Sequence, residues 1–144
     1  MTRSDTAVEL FSSGFSCSQA VLAAYSDVCN IDRETALRLS SGFGGGVKSG
    51  EICGAISGAV MVVGMRHGQV DASDKEARYI CGEKVKKVLH LFRERNGHIV
   101  CRELLHDIMP IGNGADAESK IQIRAQRCTQ MVRDVMEFLE HLDD

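Results

Sequence analysis

A single proline, Pro110, interrupts 144 residues. Inside a helix proline removes a backbone donor and clashes with the preceding turn, so a chain with one proline can run in long uninterrupted helices. Trp is absent, there are 2 Tyr and 5 Phe, and runs of β-branched residues are few, so the pattern of strand-rich sandwiches and barrels is missing. The expected fold class is all-α. The sequence predicts one domain, residues 1–144, as a helical bundle of about five to seven helices around a central buried helix rich in Gly and Ala.

A domain of this length buries roughly 70% of the surface its unfolded chain exposes, so one true core is expected. Hydrophobic residues make up 44%, charged residues 26%, and the net charge is −3. Those values exclude disordered, collagen-like and strongly basic classes, and no nucleic-acid partner is expected. Met1 to Val8 is polar and shows no secretory pattern. The most apolar stretch, Ile52 to Met65, has 14 residues, short of the roughly 18 a bilayer span requires. Hence no membrane insertion and a cytoplasmic location are expected. In a reducing compartment the six cysteines are inert core residues, metal ligands or redox groups, not stable structural disulfides.

Along the chain, an amphipathic segment Thr6–Ser13 leads through Gly14 into a helix from Ser16 to about Val28. Its apolar stripe is Cys17, Ala20, Val21, Ala24 and Val28, at spacings that share one helix face. Asp32 caps a third helix reaching Ser40. The glycines of Ser41–Gly50 then forbid a stable helix, and a buried helix follows from Glu51 to Arg66, where Gly54 and Gly58 with Ala55 and Ala59 admit a close neighbour. Ser73 with Glu76 reads as a capping box opening a helix that stops at Gly97. The core face of that helix is Ala77, Ile80, Cys81, Val85, Val88, Leu89 and Phe92. A short helix covers Cys101 to Ile108, and Asp116 caps the last one. The seam Ile121, Ala125, Cys128, Val132, Val135, Leu139, Leu142 suits a bundle or a coiled-coil-like contact, so a homo-oligomer stays open.

Four thiols share features that chemistry can use. Cys17, Cys53 and Cys101 each fall in the predicted first turn of a helix, where free N–H groups and the backbone dipole favour a thiolate. Each heads an apolar stripe, and Cys128 lies within the last seam, so four inward thiols on four helices can converge. Convergence of that kind serves a disulfide pair or a tetrathiolate metal or iron–sulfur site. Against it stands the ordinary behaviour of cysteine as a small buried hydrophobe, and no C-x-x-C occurs. Cys81 on a core face and Cys29 at a helix end read as core residues.

Gly42-Phe43-Gly44-Gly45-Gly46-Val47-Lys48-Ser49 nearly spells a P-loop, but Val47 replaces the glycine before Lys and the segment follows a helix, so nucleotide hydrolysis is rejected. Its N–H groups could instead face an anion, a cluster or cysteine sulfurs. Gly44, Gly45, Gly46 and Gly54 are the candidate cofactor-binding backbone. His67, His90, His98, His106 and His141 show no ligand spacing and are assigned to no site. The basic stretch Lys75–Arg95 and the acidic stretch Met131–Asp144 read as solvated faces, with docking of a charged redox partner as the alternative.

Gly14-Phe15-Ser16-Cys17, Phe43-Gly44-Gly45-Gly46, Cys53-Gly54-Ala55-Ile56-Ser57-Gly58, Cys101 and Cys128 together resemble the C_GCAxxG_C_C family of redox-active four-cysteine proteins. The resemblance spans nearly the whole chain. It implies that Cys17, Cys53, Cys101 and Cys128 are the functional set, as catalytic or metal-binding thiols, with Cys29 and Cys81 outside it. A related four-cysteine module occurs in split-Soret cytochromes beside haem and an iron–sulfur centre, which favours a cluster. This chain has no C-x-x-C-H, so covalent haem attachment is not expected.

Three readings therefore stand together. The four thiols hold a [2Fe–2S] cluster or another thiolate-bound metal and transfer electrons, making the chain an electron carrier or oxidoreductase. Alternatively they need no cofactor and exchange disulfides. In the third reading the chain is a non-enzymatic helical module whose cysteines bind structural zinc or simply pack, and whose role is oligomer or partner contact.

Overall fold

The structure is a computed structural model describing all 144 residues. Seven helices form it: α1 (Arg3–Ser12), α2 (Cys17–Ala24), α3 (Arg33–Ser40), α4 (Gly54–His67), α5 (Lys75–Asn96), α6 (Cys101–Leu104) and α7 (Ala117–Glu140). There is no strand, and the expected all-α bundle is what the chain forms. No helix is long and apolar enough to cross a membrane.

Local chemistry sets the helix starts. Thr2 and Asp5 exchange hydrogen bonds as a capping box at α1, and Ser16 with Gln19 does the same at α2. Asp32 accepts from the Thr35 N–H at α3. At α5 the cap is Asp74, accepting from the Ala77 N–H, one residue later than the expected Ser73. Ser73 is held instead in a turn by the Asp71 carboxylate. Asp116 stands before α7 without capping it, because its carboxylate pairs with Lys120 at 3.2 Å.

α2 and α4 cross at the centre. A Cβ on Gly58 would lie 2.8 Å from the Ser18 carbonyl oxygen and 2.9 Å from Val21 Cβ, so only glycine lets α4 sit this close to α2. The expected central Gly/Ala-rich helix is α4, although it starts at Gly54; Glu51 to Cys53 is extended backbone. Ser18 is fully buried, and its hydroxyl donates to the Ser40 carbonyl, which ties α2 to α3. α1 packs on α2 and α7, and α5 on α4 and α7. Leu22, Ile56, Val62, Val63, Val88, Phe92, Val132, Val135 and Leu139 fill the shared core.

Several expected core positions lie outside it. α2 ends at Ala24, where the Arg3 guanidinium takes the Ala24 carbonyl and pairs with Asp27, so Val28 is turned out and is 43% exposed. On α5 only Val88 and Phe92 are fully buried, while Ile80 is exposed. The reason is length: α7 closes on α5 only from Lys84 and Lys87 onward, through Asp143 and the Leu142 carbonyl, so the first turns of α5 extend past it. The same contacts show that the basic face of α5 and the acidic end of α7 partly neutralise one another. Arg95 completes this contact by pairing with Glu137 and with the buried Asp134. On α7 the seam is buried from Met131 onward, but Ile121 and Ala125 are exposed because they overhang a cavity.

Candidate functional site

Cys17, Cys53, Cys101 and Cys128 all line one cavity of about 620 Å³. Cys29 and Cys81 do not. Each wall is placed by a different local device. Cys17 is the first residue of α2, directly after the Ser16 cap. Cys53 stands at the position before α4, not within its first turn as expected, and a hydrogen bond from its N–H to the Ile99 carbonyl at 2.9 Å holds it there. Cys101 opens α6, a four-residue helix shorter than the Cys101–Ile108 expected, with its N–H on the Glu51 carbonyl at 2.6 Å.

Those two hydrogen bonds flank an antiparallel bridge between Ile52 and Val100. In such a pairing residues diagonal to one another project from the same face, and Cys53 and Cys101 are that diagonal pair. The Arg102 guanidinium closes the bridge on Glu51 at 2.6 Å. Sequence reading missed this element; its signal was a lone β-branched residue, Ile52, and the β-branched dipeptide Ile99-Val100 just after the Gly97 stop.

The thiols are not equivalent. Cys17 is the acidic one, its pKa lowered to about 7. The largest cause is a hydrogen bond from the Cys53 thiol; N–H groups of Ser18, Gly45 and Cys17 itself add to it, against the cost of burial. Cys53 is pushed well up, because it donates to Cys17, is buried and faces the Cys17 charge. Burial, then the Cys17 charge, also raises Cys101. The same two causes raise Cys128 to about 11, with Arg124 opposing. The arrangement thus makes Cys17 the one thiol that ionises near neutral pH, beside three that keep their protons there.

The glycine segment supplies part of that asymmetry. After a single turn at Ser41–Phe43, Gly45, Gly46, Val47 and Lys48 all lie in the left-handed region, with φ of 66°, 63°, 59° and 55°. For Val47 and Lys48 this conformation costs roughly 1–2 kcal/mol each. The turn is fastened by the Glu51 N–H and the Ser49 hydroxyl on the Gly46 carbonyl. It brings the Gly45 N–H to the Cys17 sulfur and Lys48 to the cavity wall. Of the candidate backbone, Gly44, Gly45 and Gly54 line the cavity, whereas Gly46 is packed against Glu51 outside it.

Lys48 and Arg124 are cavity residues that sequence reading did not assign to the site. Arg124 had a usable signal, since it lies one helical turn before Cys128 on the same face. No three His, Cys, Asp or Glu side chains gather round a single point as one metal ion would need.

A family model described as "Putative redox-active protein (C_GCAxxG_C_C)" matches residues 15–142. No curated protein and no solved structure matches the chain.

Proposed function

Because this chain belongs to the C_GCAxxG_C_C family, whose description is redox-active, we propose that it performs thiol–disulfide exchange with Cys17 as nucleophile and Cys53 as resolving thiol. The observation that carries this reading is that Cys17 and Cys53 border the same cavity and interact closely enough for the Cys53 thiol to be the main cause that lowers the Cys17 pKa to about 7. A thiol with a pKa near the ambient pH is the best attacking group, since it balances thiolate fraction against nucleophilicity.

The exchange balances with these groups alone. The Cys17 thiolate attacks one sulfur of a disulfide R–S–S–R, forming Cys17–S–S–R and releasing RS⁻. The Cys53 thiol gives up its proton, which ends on the released RS⁻, and its sulfur attacks that of Cys17. A Cys17–Cys53 disulfide forms and the second R group leaves as a thiolate that takes its proton from water. Two electrons pass from the protein to the substrate.

The test is to titrate the reduced chain anaerobically with a disulfide and map the product by mass spectrometry. A Cys17–Cys53 linkage reversed by dithiol reductant is expected; oxidation confined to other cysteines, or none, overturns the reading. Cys101→Ser and Cys128→Ser are expected to retain the linkage.

A second reading is favoured by the presence of all four cysteines around the same cavity. Cys17, Cys53, Cys101 and Cys128 would then hold an iron–sulfur cluster, which supplies one-electron transfer when bound, while the Gly45 N–H directed at Cys17 would tune its potential. Iron content and visible absorption in anaerobically purified protein, both lost in Cys128→Ser, would support that alternative over the dithiol.

A further inference from the structure

The cavity wall is chemically lopsided. Phe11, Leu104, Leu105, Ile121 and Met131 make much of it apolar, and apart from the thiols its charged side chains are all cationic: Lys48, Arg102 and Arg124. Arg102 is neutralised by Glu51. Lys48 and Arg124 form no ion pair within the chain, and Arg124 reaches the Cys128 thiol. Lys48 comes from the left-handed turn. Its Nζ lies 3.7 Å from where a Cβ on Gly44 would be, and Gly44 packs directly on Ser16, the residue before the nucleophile. Two unpaired cations from separate elements therefore border the same thiols.

Apolar cavities of roughly 300–1,000 Å³ enclose small organic molecules, and a few placed polar groups then choose among them. This one has the volume of a small-molecule site, cations with no internal partner, and a strained turn holding one of them. Strain kept in the folded state at such a place marks a segment whose position matters for function. We propose that the cavity binds a small disulfide with an apolar body and carboxylate substituents, which Lys48 and Arg124 orient towards Cys17. The proposal rests on the thiol–disulfide reading above and names its substrate class. Each turnover converts one R–S–S–R and the protein dithiol into two R–SH and the Cys17–Cys53 disulfide. The two cations also stabilise the departing thiolate, which leaves faster as its own pKa falls.

The test uses the full reduced chain without oxygen and two aromatic disulfides of similar size: dithiobis(nitrobenzoate), which carries two carboxylates, and uncharged dithiodipyridine. Released thiol is followed by absorbance, and the quantity compared is the ratio of the two rate constants. In the double variant Lys48→Gln/Arg124→Gln the ratio is expected to fall about tenfold or more, the usual scale of electrostatic steering. Raising the salt should lower the ratio in the unmodified chain as well, a measurement that needs no variant to fold. Lys86→Gln, exposed on α5, serves as a remote control whose ratio should not move.

A ratio unchanged by the double variant and by salt overturns the anion site. So does a chain that ignores both reagents yet reduces a disulfide-bonded protein, because the partner is then macromolecular. If the ratio falls as expected but the product remains a mixed disulfide on Cys17, the anion site stands and the resolving role of Cys53 fails. The two readings can thus fail separately.

Discussion

A Cβ placed on Gly54 would stand 2.5 Å from the Cys17 sulfur. The glycine that opens α4 is therefore the floor on which the Cys17 sulfur of α2 rests, and the Phe43 carbonyl, 3.1 Å from the same point, closes the space from the other side. Neither backbone can yield easily, so the Cys17 position is fixed by a missing side chain.

Gly54→Ala is expected to push the Cys17 sulfur off its donors. Its pKa should rise from about 7 towards the ordinary thiol value near 9, and overpacking should cost roughly 1–3 kcal/mol. Iodoacetamide alkylation of Cys17 against pH, together with urea unfolding, measures both. An alkylation profile that stays centred near pH 7 would show that the glycine does not position the thiolate.

The thiols also make stability depend on pH, with opposite signs. Cys17 has a folded pKa of about 7, below its unfolded value near 9, so its contribution is full above pH 9 and is lost as pH falls through 7. Cys128 is raised to about 11, so its contribution is full below pH 9 and is lost as pH climbs through 11. The reduced chain should therefore gain stability from Cys17 between pH 7 and 9 and lose it through Cys128 above that. Urea midpoints of the reduced chain and of Cys17→Ser, compared at pH 7 and pH 9, should differ more at the higher pH, by about 1 kcal/mol or more. An equal difference at both would refute the depressed Cys17 value.

Val47 is half exposed at 51% and carries a φ of 59°, a conformation that a β-branched residue resists. Val47→Gly removes that resistance at a smaller entropic cost, for a net gain of about 0.5–1 kcal/mol. Because the turn keeps its shape, the pH profile of Cys17 alkylation should not change. A loss of stability in this variant would mean that the valine side chain contributes packing that outweighs its backbone strain.

Asp134 is 1% exposed and satisfied by Arg95, Asn96 and Gln130 at 3.0 to 3.3 Å. Arg95 also lies over the Phe138 ring at 4.9 Å. Asp134→Ala strands these donors where α5 meets α7 and should cost about 1–3 kcal/mol. Thermal unfolding measures it. Exchange at Cys17 should survive, because Cys17 opens α2 and Cys53 stands before α4, away from the α5–α7 contact; a loss of Cys17 reactivity in the folded variant would contradict that separation.

Much of the helical frame could be read from residues that act locally. Ser16 with Gln19, Asp32 with Thr35 and the stop at Gly97 depend only on groups within a turn of one another, and the helix start at Ser16, the Asp32 cap and the Gly97 stop lie where the sequence predicted them. The spacing of Gly54 and Gly58 foretold a close neighbour without saying which, since α2 comes from a distant part of the chain. Asp74 displaced Ser73 as a cap because two adjacent residues can both accept from a helix start, and the turn made with Asp71 decided between them.

The sequence by itself determined the all-α class, the starts of α2 and α3, and the presence of four thiols at or near helix ends or on an apolar seam, because propensity, capping and periodicity are short-range properties. The tertiary structure alone decided how those thiols are ranked. The Ile52–Val100 bridge sets Cys53 beside Cys101, the left-handed turn sends the Gly45 N–H to Cys17, and α7 brings Arg124 and Cys128 across the same cavity. A thiol's acidity depends on donors, charges and burial within a few ångströms. For Cys17 the principal donor is Cys53 on another element, so its place among the four is settled only once the chain has folded.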